Sequence, residues 1–186
     1  MNIGIDIDGT INNFQDVVSD IIYKKYKIKC DKSQYELFDN IPDKDYVDFM
    51  EQHSNELLYD VKPEDNSVSV IESFAKSKHD INIITARGYH IAENTIKWLK
   101  MNRIYYDNIY FSCGDKVDVC KWLNIDIMIE DKPENIISLS DNGVNTIIYD
   151  QLYNQYVQNS KNITRARNWA SIYETITYNL NYSLRQ

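Results

Sequence analysis

The run Ile3-Gly4-Ile5-Asp6-Ile7-Asp8, closed by Gly9, constrains this chain more than any other feature, because it sets two carboxylates in an otherwise apolar β-branched stretch. Such a run reads as a buried strand ending in a turn, with Asp6 and Asp8 at its carboxyl end. Alternate strand residues share a face, so the two acids point the same way unless the turn at Gly9 reorients the second. Solvated turn acids are common, yet acids in a buried strand are costly unless paired or metal-bound, and the pair is therefore read as functional. Similar runs recur at 81–85, 109–112, 125–129 and 144–149, separated by stretches able to form helices. Strand alternating with helix means a parallel α/β sheet.

Two of the helical stretches are legible. One spans 92–101 with Ile96, Trp98 and Leu99 among polar residues; the other begins near Pro133 and ends at Asn142-Gly143. In open sheets of this kind ligands bind beyond the carboxyl ends of the strands, which directs attention to Asp6 and Asp8, Thr85, Lys116, and Glu130 with Asp131. Residues 11–78 differ in character, rich in Tyr, Asp and Lys, with Phe14, Val17, Val18, Ile21 and Ile22 at helical spacing. They read as a helical cap inserted after the first strand, divided by Pro42 and Pro63 into three or four short helices, with Tyr46, Phe49 and Met50 on one apolar face. The core is then 1–10 and 79–186. Near the end, Trp169, Ile172, Tyr173 and Ile176 mark a final amphipathic helix.

The formal charge of −8 argues against a protein that tracks a long nucleic-acid backbone, a task dominated by clustered Lys and Arg, and favours a small phosphorylated substrate. Cys30, Cys113 and Cys120 are scattered and lack ligand spacing, so they read as reduced thiols. The opening MNIGIDIDGT has no basic region, and no apolar run is long enough to span a bilayer; the expectation is a cytoplasmic protein without membrane contact. His53, His79 and His90 show no ligand spacing or nucleophile partner and read as ordinary surface or core histidines.

Taken in order, Asp6-Ile7-Asp8-Gly9-Thr10, Thr85 after Ile83-Ile84, Lys116 in Gly114-Asp115-Lys116, and Glu130-Asp131 resemble the four motifs of the haloacid dehalogenase superfamily of phosphatases. The resemblance covers residues 2 to about 150 and implies a Rossmann-like parallel sheet flanked by helices, with a cap of the type inserted after the first motif (C1). It also implies that Asp6 is the nucleophile, forming an aspartyl phosphate, and that Asp8 acts as acid and then base. By the same resemblance Mg2+ is held by Asp6, the Asp8 carbonyl and Asp131, with Glu130 acting through its neighbours. Thr85, Lys116 and the backbone N–H groups of Gly9 and Ala86 would meet the phosphoryl oxygens, alongside Thr10.

Within the superfamily the chain is similar to the 5′(3′)-deoxyribonucleotidases and related bacterial nucleotidases. The likeness lies in Phe14, the Ile84-Thr85-Ala86-Arg87 string, Glu130-Asp131-Lys132-Pro133, and the tail from Tyr149 through Tyr153 and Asn154 to Arg165, Arg167 and Trp169. The implied substrate is a nucleoside monophosphate. Phe14 either stacks on the base or belongs to the cap core; Arg87 either reaches the substrate or forms a structural ion pair. Three other readings remain: a phosphatase of sugar phosphates or other small metabolites, a polynucleotide 3′-phosphatase, and a phospholigand-binding module without turnover.

Overall fold

The computed structural model describes residues 1–37, 41 and 46–183. Phe38 and Pro42, and the side chains of Tyr46 and Met50, which were expected to shape the cap, lie outside the described residues. Six parallel strands form one sheet: β1 (Asn2–Ile5), β2 (Asp80–Ile84), β3 (Asn108–Tyr110), β4 (Ile127–Glu130), β5 (Thr146–Tyr149) and β6 (Ile163–Ala166). Their order is β3-β2-β1-β4-β5-β6, so β1 lies between β2 and β4 where the order reverses. Ile5 pairs with Ile83 on one side and Ile129 on the other, which brings Asp6, Thr85 and Glu130 out at the same edge. That edge is where an open parallel sheet takes its ligand.

The strands are buried because both faces are covered. Ile3, Ile5, Ile81, Ile83, Ile129 and Ile147 join one cluster with Phe74, Trp98, Leu99, Trp169, Ile172 and Ile176. Ile84, Met128, Val117, Cys120 and Leu139 form a second. The helices that supply these faces are α3 (Ser67–Lys76), α4 (Ala92–Met101), α5 (Val117–Trp122), α6 (Pro133–Asp141) and α7 (Trp169–Ser183). Pro133 stands in the first turn of α6, where its missing N–H costs nothing.

The parallel sheet expected from the alternation is present, with two differences in detail. The strand β6 was not anticipated, since Ile163-Thr164-Arg165-Ala166 is short and half polar, as suits an edge. Helix α3, inside the stretch read as cap, buries Val70, Ile71 and Phe74 against the sheet with Ile3 and Trp169.

The remaining inserted segment has its own core. Helix α1 (Phe14–Tyr26), α2 (Tyr46–Gln52) and a π-helical turn at Glu56–Asp60 gather Val18, Ile21, Ile22, Leu37, Ile41, Phe49 and Leu57. Its two connections to the sheet run side by side. Asn13 N–H donates to the Lys62 carbonyl at 3.1 Å, and Glu64 N–H to the Ile11 carbonyl at 2.7 Å. Lys62 N–H in turn donates to Asn13 Oδ1 at 2.8 Å. Phe14, at the junction, packs against both this cluster and the sheet cluster, as its helical register anticipates.

Candidate active site

Strand β1 ends at Ile5, and the chain coils immediately: the N–H groups of Thr10, Ile11 and Asn12 all donate to the Ile7 carbonyl at 2.9–3.3 Å. Gly9 takes φ of +82°, the left-handed region that disfavours a side chain. The turn separates the two acids. Asp6 stays at the strand end, 6% exposed, while the Asp8 carboxylate is gripped by Arg87, Nε to Oδ2 at 2.7 Å and Nη2 to Oδ1 at 2.6 Å. Arg87 also donates to Thr95 Oγ1 at 3.2 Å. Of the two readings of Arg87, the ion pair is the one the structure displays. Asn12 Nδ2 adds a third donor to Asp8, at 3.2 Å.

Lys116 precedes α5 and runs inward until it is 1% exposed. Its Nζ forms an ion pair with Asp6 and donates to Glu130 Oε2 at 2.6 Å. The other Glu130 oxygen accepts the Lys132 N–H at 2.9 Å. Asp131, wholly buried, accepts hydrogen bonds from Thr10 Oγ1 to Oδ1 at 2.7 Å and from the Tyr153 hydroxyl to Oδ2 at 2.5 Å. Thr85 is buried at the end of β2, and its Oγ1 accepts the Arg87 N–H at 3.1 Å. Ala86, between them, is exposed.

Two expected substrate donors are engaged elsewhere. The Gly9 N–H donates to Asn12, at 3.2 Å to both its Oδ1 and its carbonyl oxygen, because the coil after β1 folds back on itself. The Thr10 hydroxyl is committed to Asp131, and the Thr10 carbonyl accepts the Trp169 indole N–H at 3.0 Å.

Oxygen atoms of Asp6, Glu130 and Asp131 lie within 4.8 Å of one another, all buried. If all three carboxylates are ionised, the one ammonium beside them, Lys116, leaves a formal excess of two negative charges in a buried site. The electrostatics show the strain of that excess. Burial, opposed by Lys116 and helped by Glu130 and Asp8, pushes Asp6 up to about 7. Burial, then Glu130 and Asp6, raise Asp131 well above the usual carboxylate range. For Lys116, burial alone would lower the ammonium, but Asp6 and Glu130 outweigh it and the net shift is upward. Clustered hard oxygen donors that can ionise fully only with added positive charge beside them fit a divalent cation of the magnesium type.

The loop after β5 supplies contacts that reasoning from strand runs did not assign. Asn154 Nδ2 donates to the Asp131 carbonyl at 2.9 Å, and Gln151 Nε2 to the Gly9 carbonyl at 2.8 Å. Arg165 on β6 secures this loop through Asp150 Oδ1 at 2.5 Å and Asn154 Oδ1 at 2.7 Å. The signal available was position: the loop follows the carboxyl end of β5, at the same edge as the other site residues.

The histidines and cysteines keep the ordinary roles expected of them. His53 faces Glu56 at 3.4 Å, and Cys30, Cys113 and Cys120 are free thiols. Among the described residues, no helix is long and apolar enough to cross a membrane.

The parallel sheet with a carboxylate cluster at its carboxyl edge is a fold shared with solved hydrolases of the haloacid dehalogenase type. The crystal structure of a haloacid dehalogenase-like family hydrolase from Xanthomonas campestris shares the fold, with a TM-score of 0.67 and 12% identity over 100% of this chain and 98% of that one. Residues 1–181 match the family described as 5′ nucleotidase, deoxy (pyrimidine), cytosolic type C protein, and the chain belongs to that family. Among curated proteins it is 28% identical to "Putative nucleotidase YqfW" of Bacillus subtilis, covering 100% of this chain and 98% of that protein. It is 27% identical to "Putative nucleotidase BH1399" of Halalkalibacterium halodurans, over 89% and 87%.

Proposed function

We propose that the protein is a magnesium-dependent 5′(3′)-(deoxy)ribonucleotidase that releases phosphate from nucleoside monophosphates through an aspartyl phosphate on Asp6. The observation that carries the chemistry is the buried group of Asp6, Lys116, Glu130 and Asp131, three carboxyl groups around one ammonium. The family to which the chain belongs supports the choice of substrate, as do the names of its curated relatives.

In this reading an Asp6 oxygen attacks phosphorus, the ester P–O bond breaks, and Asp8 donates a proton to the departing alkoxide. Asp8 then takes a proton from water, whose oxygen attacks the phosphoryl group and frees the Asp6 carboxylate. The two-nitrogen ion pair with Arg87 holds the ionised Asp8 in the orientation from which it takes the proton of water; the protonated Asp8 so formed is the acid of the next turnover. Lys116 balances charge on Asp6 and on the phosphoryl oxygens, and Glu130 keeps the ammonium in place. Asp6 and Asp131 would hold Mg2+, which offsets the repulsion between the carboxylate and the phosphate oxygens. In this reading the inserted segment, whose Tyr35 meets Tyr153 beside Asp131, keeps bulk water from the intermediate.

The test is phosphate release with Mg2+ from ribo- and deoxyribonucleoside 5′- and 3′-monophosphates, sugar phosphates and 3′-phosphorylated oligonucleotides. Preference for mononucleotides is expected. A sugar-favouring or flat profile would remove the nucleotidase assignment while keeping the phosphatase chemistry.

A further inference from the structure

Asp131 is held more closely than a cation ligand on a strand end requires. Thr10 and Tyr153 each occupy one carboxylate oxygen, and Asn154 takes its backbone carbonyl. Each carboxylate oxygen still offers a second lone pair, so these bonds orient the group without consuming it. Tyr153 itself is 5% exposed and sits in the single helical turn Leu152–Asn154. That turn is closed by the Gln151 N–H donating to Asn154 Oδ1 at 3.1 Å. It is clamped by Arg165, which reaches the Asn154 and Val157 carbonyls at 2.8 Å besides Asp150 and the Asn154 side chain.

A second observation comes from the opposite side of the bond. A Cβ on Gly9 would stand 2.6 Å from the Tyr153 hydroxyl and would also collide with Asp131 Oδ2. The absence of a side chain at position 9 is what lets the phenol reach the carboxylate. The third observation is on the cap: the Tyr35 ring meets the Tyr153 ring edge-on, with centroids 5.3 Å apart and planes at 78°. Lys132, next to Asp131 in the chain, places its Nζ 4.7 Å from the Tyr35 centroid. Tyr35 is thus the cap residue that rests on both sides of the Asp131 support.

We propose that Tyr153 is a positioning residue that fixes the Asp131 carboxylate for its cation, and that Tyr35, seated on the Tyr153 ring, ties this carboxylate to the cap, so that cap closure and cation binding favour each other. The proposal rests on the reading of Asp131 as a cation ligand. Without the hydroxyl, Oδ2 of a buried carboxylate loses its donor and the group can rotate; without Tyr35, the Tyr153 ring loses the wall that holds it. Coupling of this kind is reciprocal, so a cap contact that depends on the cation must also strengthen it.

The test is calorimetric titration of Mg2+, and of Mn2+, into the full chain without substrate. Tyr153→Phe keeps the ring and removes only the hydroxyl; its affinity is expected to fall by roughly 10–100-fold, the usual effect of removing a partner from a metal ligand. Its melting temperature in EDTA, close to wild type, establishes that the loss is not one of folding. Tyr35→Ala is expected to weaken binding by about five-fold or more, and to have no further effect in the Tyr153→Phe background. Wild-type affinity in Tyr153→Phe overturns the positioning role. An unchanged Tyr35→Ala, or one whose effect simply adds, overturns the tie to the cap. Should Tyr153→Phe not fold, the Tyr35→Ala titration decides alone by the same criterion. A wild-type chain that binds neither cation overturns both the proposal and the ligand role of Asp131, whereas binding without phosphatase activity leaves the proposal standing and removes the enzymatic reading.

Discussion

Replacing Lys116 with Met tests the charge balance of the site directly. The ammonium is 1% exposed and serves Asp6 and Glu130 together, so its loss leaves three buried carboxylates with no cation beside them. Removing one partner of a buried pair costs about 3–5 kcal/mol. In a chain of this size each kcal/mol lowers the melting temperature by about 2–4 °C, so the metal-free variant should melt roughly 6–20 °C below wild type at neutral pH. The deficit has a definite pH dependence. A carboxylate raised above its unfolded value favours folding fully only below that value and loses this advantage as pH rises through the folded one. Asp6 is pushed up to about 7 and Asp131 upward even with Lys116 present, by burial first in each case. At pH 5 Asp6 and Asp131 of the variant are protonated and its deficit should shrink; at pH 8 it should be largest, and added Mg2+ should recover part of it. Circular dichroism melts in EDTA and in Mg2+ at both pH values make the measurement. A Lys116→Met protein that melts as a surface variant would, at both pH values, refutes the reasoning.

Arg87→Lys replaces a two-nitrogen grip on Asp8 with a single ammonium; kcat should fall roughly 10–100-fold, part of the ~10²–10⁴ that a placed acid–base group contributes, with KM little changed. An unaltered kcat would show that Arg87 does not position Asp8. Gly9→Ala forces a side chain into φ of +82° beside Tyr153 and Asp131, at a cost of about 1–2 kcal/mol for the backbone alone. It should lower both melting temperature and Mg2+ affinity, and wild-type values for both would contradict the packing described. In the wild-type chain, the rise in melting temperature on adding Mg2+ should grow from pH 5 to about 7 and then level off, because the cation competes with the protons that burial keeps on Asp6. A rise independent of pH would mean that the cation binds elsewhere.

The sheet was legible where burial writes itself into sequence. Ile3 to Ile5, Ile83 to Ile84 and Ile147 to Ile148 are apolar on both faces because helices cover both, and residues following the first two carry the site. Strand β6 was not legible, since an edge strand needs only one buried side and the polar pair Thr164-Arg165 reads as loop. Helix α3 merged with the cap because its Val70, Ile71 and Phe74 have the same helical period as a cap helix would; periodicity names a face but not what it packs on. Place after each strand, together with the resemblance, singled out Asp6, Asp8, Thr85, Lys116, and Glu130 with Asp131 as candidates. Their partners were not legible, because hydrogen bonds such as Tyr153 to Asp131, across 22 residues, or Arg87 to Asp8, across 79, depend on how loops close. The Gly9 N–H illustrates the same limit: a glycine in this turn is readable, whereas the direction of its N–H toward Asn12 is decided by the coil that follows.

The central claim is that Asp6 carries the phosphoryl group. Acid quench of the enzyme during turnover of a 32P-labelled nucleoside monophosphate with Mg2+, followed by borohydride reduction and peptide mass spectrometry, tests it at the atom concerned. Protein-bound label that depends on Mg2+ and a homoserine at position 6 are expected, with neither in Asp6→Asn. Label on another residue, or steady phosphate release by Asp6→Asn, would contradict it.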